Sequence, residues 1–185
     1  MVEIIVKLRQ EQDAMKYSLT ANSRADFIAY APLHTFKGWA VEGMTGAIDI
    51  DFETMTLNHL EATAQTALFD TGYADRNTAM FDFFGWEKHP ETSFTLTQCQ
   101  EFTKIDDALY RLTIQGILDF SGIKRQLPVK CTLRRKGEKL WLEMKCKWSF
   151  KAYGLKAPRL LFMTVRDIVD ISAGLEFNVV DTNEA

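Results

Sequence analysis

Apolar and polar residues alternate along most of this chain. The pattern runs through six segments, at residues 44–52, 60–68, 110–120, 127–133, 142–150 and 169–177. Alternation with a period of two is typical of strands that bury one face. Shorter strands are also expected at residues 16–20, 25–31 and 93–100. The chain is therefore predicted to be all-β.

Compact turns separate several of these strands. Ser121-Gly122 and Lys136-Gly137-Glu138 are typical hairpin connections, because glycine supplies the positive φ that tight turns need. Long strands joined in up-and-down order favour a closed barrel, since closure removes exposed edges. We predict an antiparallel, up-and-down barrel of eight strands with one short helix between strands. A barrel of that size can hold a small ligand.

One stretch, from Phe69 to Phe94, departs from the alternation. It opens with the turn signal Asp70-Thr71-Gly72, continues as a helical pattern over about 73–84 and carries many aromatic residues. An aromatic cluster on a short helix in an all-β chain needs a surface to cover, and the mouth or wall of the barrel is the natural one. Residues 158–163 form a single turn or loop, whose apolar side chains either cover the barrel or pack within the loop.

Length and composition favour a single domain. The chain has 185 residues and no low-complexity linker, so we assign residues 1–14 to an N-terminal extension and 15–180 to the barrel domain. The extension contains the strand-forming segment VEIIVKL, which could pair with a second copy and make a homodimer.

Charge and composition exclude several classes of protein. The formal charge of −3 and the lack of long basic runs argue against nucleic-acid binding.

The N-terminus lacks the apolar stretch of a secretory signal, and no run of apolar residues is long enough to span a membrane. Three cysteines without CxxC spacing are expected to be reduced and buried. A cytoplasmic location follows, or a periplasmic one if the precursor's N-terminus is missing.

Catalytic signatures are absent from the sequence. The three histidines, His34, His59 and His89, have no metal-ligand spacing, and there is no GxSxG, P-loop or GxGxxG motif. We therefore predict no enzyme activity, no metal and no cofactor. An enzyme on this barrel would need at least two of the histidines to converge with a carboxylate.

Small residues on the inward faces indicate a cavity. Gly46, Ala62, Ala64, Gly116 and Ala173 leave space that a filled core would occupy, unless they only accommodate opposing aromatic rings. A wall of carbon suits an apolar chain, since each buried methylene contributes about 0.8 kcal/mol. The predicted ligand-binding residues are Met44, Ile48, Ala62, Ala64, Arg76, Asn77, Met80, Phe84, Leu112, Ile114, Met144, Trp148 and Phe150.

Several motifs resemble those of a known family. The segments are 17–27, His34-Thr35-Phe36-Lys37-Gly38, 46–51, 70–94, 112–125, 150–155 and 167–171. On these residues the chain resembles the YceI-like family of lipid-binding, lipocalin-like barrels. The most specific of these segments is 70–94, and there the chain departs from the family's RDxHL/M pattern. Asn77 replaces the usual aspartate, and Ala79 replaces the usual histidine.

The resemblance implies a lipocalin-like barrel that encloses a long apolar ligand of polyisoprenoid or fatty-acyl type. Arg76 or Asn77 could contact the head group, although Arg76 could equally cap the barrel end. The predicted function is to bind or carry such a lipid. The alternative is a non-catalytic structural or stress-related interaction protein with a filled barrel. The volume near Ala62, Ala64 and Gly116 distinguishes a carrier from a solid core.

Overall fold

The computed structural model describes residues 15–160 and 163–180, so the predicted N-terminal extension, with its VEIIVKL segment, lies outside the described residues. Its strands are β1 (Met15–Leu19), β2 (Arg24–Tyr30), β3 (Thr35–Ala40), β4 (Met44–Asp51), β5 (Thr56–Gln65), β6 (Glu91–Lys104), β7 (Leu109–Phe120), β8 (Ile123–Lys136), β9 (Lys139–Ser149), β10 (Arg159–Leu160), β11 (Met163–Thr164) and β12 (Ile168–Val179). Helix α1 is Ala74–Phe84, and short 3₁₀ turns cover Thr66–Leu68 and Lys151–Tyr153.

Eight strands close into the predicted antiparallel barrel. They run in the order β1, β4, β5, β6, β7, β8, β9 and β12, and the pairing of β1 with β12 completes the ring. The closing register joins Tyr17 to Val179 and Leu19 to Phe177. Every strand of the ring is therefore hydrogen-bonded on both sides, which leaves no long exposed edge.

A hairpin of β2 and β3 shares one edge of β12 with β1. Strand β1 pairs with the end of β12, whereas β2 pairs with its first half, from Val169 to Gly174. Strand β3 continues from β2 and meets the chain before α1 through a single bridge between Trp39 and Asp70. The barrel wall is thus widened at one end, where α1 also lies.

Several expected boundaries differ from the observed ones. The segment His34–Gly38, which resembles a family turn, lies mostly in strand β3, because Phe36 pairs with Ala29 and Gly38 with Phe27. The strand expected over residues 60–68 begins at Thr56 and ends at Gln65, where the 3₁₀ turn takes over. The loop expected at 158–163 contributes to the small hairpin of β10 and β11. The alternation of apolar and polar residues within one segment does not show which other segment it will pair with.

The barrel core is divided into two clusters. One fills the closed end, where Tyr17, Ile50, Leu112, Leu133 and Phe177 are at most 1% exposed. The second lies at the end covered by α1 and is aromatic, with Trp148, Phe150 and Tyr153 at its centre.

Helix α1 lies across the widened end. Its C-terminus is set by Gly85, whose φ of 62° allows the left-handed turn that ends the helix. The Phe84 ring meets the Phe120 ring edge-on, with centroids 4.6 Å apart, and Ser121 Oγ donates a 2.8 Å hydrogen bond to the Phe84 carbonyl. The helix is therefore fastened to the β7–β8 turn at its C-terminal end.

Within residues 15–160 and 163–180, no helix is both long enough and apolar enough to cross a membrane.

Candidate functional site: a carbon-lined cavity beneath helix α1

A cavity of about 230 Å³ lies between the two core clusters, under α1. We call it the inner cavity. Its wall takes residues from both clusters, such as Phe94 and Leu127 from the first and Ala29 and Val169 from the second. Carbon forms almost all of its surface. The barrel is therefore hollow at one end and packed at the other.

Most of the predicted ligand-binding residues line this cavity. They occupy strands on both sides of the barrel together with α1, and they are Met44, Ala62, Ala64, Met80, Phe84, Met144, Trp148 and Phe150. The space next to Ala62 and Ala64, which distinguishes a hollow barrel from a solid one, is open.

Five of the predicted residues lie elsewhere, and three of these five are apolar side chains in the barrel interior. Ile48, Leu112 and Ile114 point inward, but they belong to the packed cluster at the closed end and are no more than 1% exposed. They do not line the inner cavity. The reason is depth: alternation places a side chain inside the barrel without saying how far along the axis it lies.

Two of the small residues do not create space. A Cβ on Gly116 would overlap the Phe94 ring, and a Cβ on Gly46 would lie 2.5 Å from the Glu61 carbonyl oxygen. Gly116 accommodates an opposing aromatic ring, which is the other explanation that its size allowed. Gly46 permits a close approach of β5 to β4.

Asn77 holds the N-terminal end of α1 in place. Its Nδ2 donates to Asp70 Oδ1 at 2.8 Å, while its Oδ1 accepts from the Thr71 backbone N at 2.8 Å and from Thr71 Oγ1 at 2.6 Å. The hydrogen bond from Asn77 is the main cause of a lowered Asp70 pKa. Asn77 therefore uses its polar atoms to hold the turn before the helix, and it does not line the inner cavity.

Arg76 lies at the border of a second space, which we call the outer groove. This groove has a volume of about 310 Å³ and runs between α1, the β2–β3 hairpin and the segment Pro158–Arg159. It shares Phe27, Ala29, Met80, Phe84 and Phe150 with the inner cavity. The two spaces are thus neighbours, separated by side chains that face both.

Sequence reasoning missed part of the wall. Strand β2 contributes Ala25, Phe27 and Ala29, and β12 contributes alternate residues from Val169 to Leu175. The same alternation that selects Met144 and Trp148 is visible in both segments. These strands could have been added from the pattern, whereas the contribution of Phe69, before α1, depends on how the loop folds back.

Two cysteines and a tyrosine at or near the cavity have raised pKa values. Burial raises the pKa of the Cys146 thiol, which faces the cavity, to about 11, and that of Cys131 to about 12. The three cysteines are free, but only Cys131 is fully buried, so the expectation of burial holds in part. Burial likewise raises the pKa of Tyr153 to about 12. The chemistry of this wall is that of a neutral apolar surface.

Trp148 contributes the one buried side-chain N–H without a hydrogen-bond acceptor among the described residues. Its indole is nevertheless near enough to Tyr153 Oη to favour the phenolate slightly, against the larger effect of burial. Tyr153 Oη itself donates to the Leu118 carbonyl at 3.1 Å. The Trp148 ring packs against the Tyr153 ring, with centroids 5.1 Å apart.

The histidines do not gather at the cavity. His59 faces Glu61 on the outside of β5 at 3.4 Å, His34 lies in the β2–β3 turn, and His89 packs against Gly122. None of them lines either space. Within residues 15–160 and 163–180, no three metal-ligating side chains come together.

Comparisons with known proteins agree with this geometry. A model of the YceI-like domain matches residues 18–177. The UPF0312 protein plu2095 of Photorhabdus laumondii is 23% identical over 133 residues, which are 69% of this chain and 66% of that protein. The chain thus spans just under two thirds of that curated relative's length.

Solved structures share the fold. A polyisoprenoid-binding domain from Saccharophagus degradans superposes with a TM-score of 0.72 at 14% identity, covering 90% of this chain and 99% of that one. BcnA of Burkholderia cenocepacia gives a TM-score of 0.68 at 17% identity, over 84% and 96% of the two chains. Since the family model matches most of the barrel, the chain belongs to the YceI-like family.

Proposed function

We propose that this protein binds and carries a lipid with an apolar chain, of polyisoprenoid or fatty-acyl type, in the inner cavity. The observation that supports the proposal most directly is the carbon-lined space of about 230 Å³ beneath α1. A filled structural barrel would have no such space. The family and the polyisoprenoid-binding neighbour favour the same ligand class.

Desolvation supplies the binding energy. Ten methylenes moved from water into such a wall contribute on the order of 8 kcal/mol before the cost of ordering the chain. A polar ligand would gain little there, because almost no polar atom faces the cavity. The packed closed end, with Tyr17 and Phe177, makes the cavity a blind pocket that the chain enters from the side of α1.

We assign the protein a binding role without catalysis. The cavity-facing thiol of Cys146 has a pKa of about 11 and is a poor nucleophile near neutral pH. No histidine lines the cavity, and the carboxylate of Asp26, the acidic residue in its lining, accepts hydrogen bonds from Arg24.

Native mass spectrometry after mild purification tests the proposal. The expected result is a bound species whose mass, after solvent extraction, belongs to an apolar-chain lipid. A protein that is empty on isolation and that also fails to bind added polyprenol or long-chain fatty acid would contradict it.

A further inference from the structure

The outer groove carries an unusual set of charges. Three cationic side chains line it, Lys37 on β3, Arg76 on α1 and Arg159 on β10, and all three are exposed. The described lining includes no aspartate or glutamate; its other members are mainly aromatic and aliphatic. For a protein with a net charge of −3, this is a local excess of positive charge.

Arg76 is held in place by aromatic rings. Its guanidinium carbon lies 4.2 Å from the centroid of the Tyr73 ring and 5.5 Å from that of Phe36. Stacking of this kind orients the planar guanidinium and leaves its N–H groups free along the edge. No ion pair of Arg76, Lys37 or Arg159 occurs among the described residues.

The acidic residues close to Arg76 in the chain or in the neighbouring loops do not line the groove: Asp75 precedes Arg76 on α1, and Asp70 and Asp167 are engaged elsewhere. Asp70 accepts hydrogen bonds from Asn77 and from the Gly72 backbone N. Asp167 accepts from Ser149 Oγ and from the Lys151 backbone N. These hydrogen bonds hold both carboxylates in turns outside the groove. The three cations therefore have no built-in counter-charge in the groove.

The groove and the inner cavity are neighbours that share part of their walls. Met80 and Phe84 from α1, with Phe27, Ala29 and Phe150 from the barrel, line both. A chain that occupies the inner cavity and leaves it between these side chains has its polar end in the outer groove. The head of the lipid is then beside Arg76.

We propose that the outer groove binds the anionic head, a carboxylate or a phosphate, of the lipid whose chain occupies the inner cavity. This inference rests on the proposed lipid-binding function and adds a selectivity to it. Arginine presents several N–H donors that match carboxylate and phosphate oxygens, and charge-assisted hydrogen bonds of this type are stronger than neutral ones. A lipid of the same chain length with an alcohol head group has no negative charge to interact with these cations.

Matched lipids test the selectivity. Binding of palmitate, hexadecyl phosphate and hexadecanol is compared at pH 8 and low salt by displacement of a fluorescent probe from the cavity. Both anionic lipids are expected to bind about tenfold more tightly than the alcohol, a difference of about 1.4 kcal/mol, because charge-assisted hydrogen bonds are stronger than neutral ones. Added salt should reduce that difference, since the groove is exposed to solvent.

Substitutions of the three cationic residues test whether the preference for anionic lipids arises in the outer groove. The triple substitution Lys37→Gln, Arg76→Gln and Arg159→Gln should reduce the preference for anions to about one, while binding of hexadecanol persists. A matched control, Arg111→Gln, Lys130→Gln and Lys145→Gln, removes the same charge from exposed positions on β7, β8 and β9 and should retain the preference.

The outcomes separate the two proposals. Equal binding of the three lipids to the unmodified protein, or an equal loss of preference in both triple variants, overturns the head-group site and leaves lipid binding intact. Failure of all three lipids to bind overturns lipid binding itself. A higher affinity for only one of the two anionic lipids identifies which head the groove accepts.

Discussion

The ring of Phe94 occupies the position where a side chain on Gly116 would lie. Strands β6 and β7 are paired with Leu96 opposite Gly116, so the ring reaches across to the glycine from two residues earlier on β6. A Cβ on Gly116 would overlap three atoms of that ring. The glycine thus leaves room for the outer end of the Phe94 ring, and Phe94 is part of the wall of the inner cavity.

Substitution of Gly116 should therefore destabilise the barrel. Gly116→Ala is expected to lower the free energy of unfolding by about 1–3 kcal/mol, the usual cost of overpacking, in urea denaturation. Adding Phe94→Leu should recover part of that loss, because the smaller side chain makes room for the methyl group. If the double variant is as unstable as the sum of the single ones, the two residues do not interact in this way.

Filling the cavity from Ala64 should reduce lipid binding without unfolding the protein. Ala64→Leu extends a side chain into the empty space between Met44 and Thr92. Displacing two methylenes of a bound chain costs about 1.6 kcal/mol, or slightly more than tenfold in affinity. Fluorescent-probe titration measures the affinity, and thermal unfolding should show little change.

The control for this variant is Glu61→Leu, on the outer face of the same strand. It adds leucine at an exposed position that lines neither the inner cavity nor the outer groove. Its affinity should match that of the unmodified protein. Unchanged binding in Ala64→Leu would show that the lipid does not use the inner cavity.

The substitution Asn77→Asp should destabilise the protein increasingly as the pH rises. Asn77 donates to the Asp70 carboxylate, and this hydrogen bond lowers the Asp70 pKa. The contribution from Asp70 is therefore present above its unfolded pKa of about 3.9 and is lost as the pH falls through the folded value. An aspartate at position 77 places two carboxylates together, so the pKa of one rises in the folded state.

Thermal unfolding between pH 3 and pH 8 measures the change. The penalty of Asn77→Asp should be small at about pH 3, below the unfolded pKa, and should grow as the pH rises through the raised pKa of the pair. Asn77→Ala, which removes the hydrogen bonds without adding charge, should lack this growing repulsion. Parallel profiles for the two variants would contradict the role of the Asn77–Asp70 contact.

Cys146 should report whether the cavity is occupied. At pH 8 a thiol with a pKa of about 11 is only about 0.1% thiolate, so alkylation is slow even in the empty protein. A bound chain should slow it further by covering the sulfur. The measurement is alkylation of Cys146 by mass spectrometry in a Cys99→Ser, Cys131→Ala variant, with and without palmitate. Equal rates in both states would place the ligand elsewhere.

The course of the strands was largely predictable. Alternation from Leu142 to Phe150 or from Val169 to Phe177 predicts a strand with one buried face, and in the structure the two segments pair as β9 and β12. Helix α1 was predictable for a similar reason, since a different spacing replaces the alternation after Gly72. Strand β3 was not, because its pairing with β2 depends on a partner rather than on its own pattern.

The sequence by itself determined which side chains enter the barrel, since alternation places every second residue on the inner face. It did not determine their depth. Ile114 and Trp148 are both inward, yet Ile114 is packed in the closed end whereas Trp148 faces the inner cavity. That difference, and the meeting of Lys37, Arg76 and Arg159 at one groove, follow from register, closure and the position of α1. Each depends on contacts between residues far apart in the chain, which only the tertiary structure brings together.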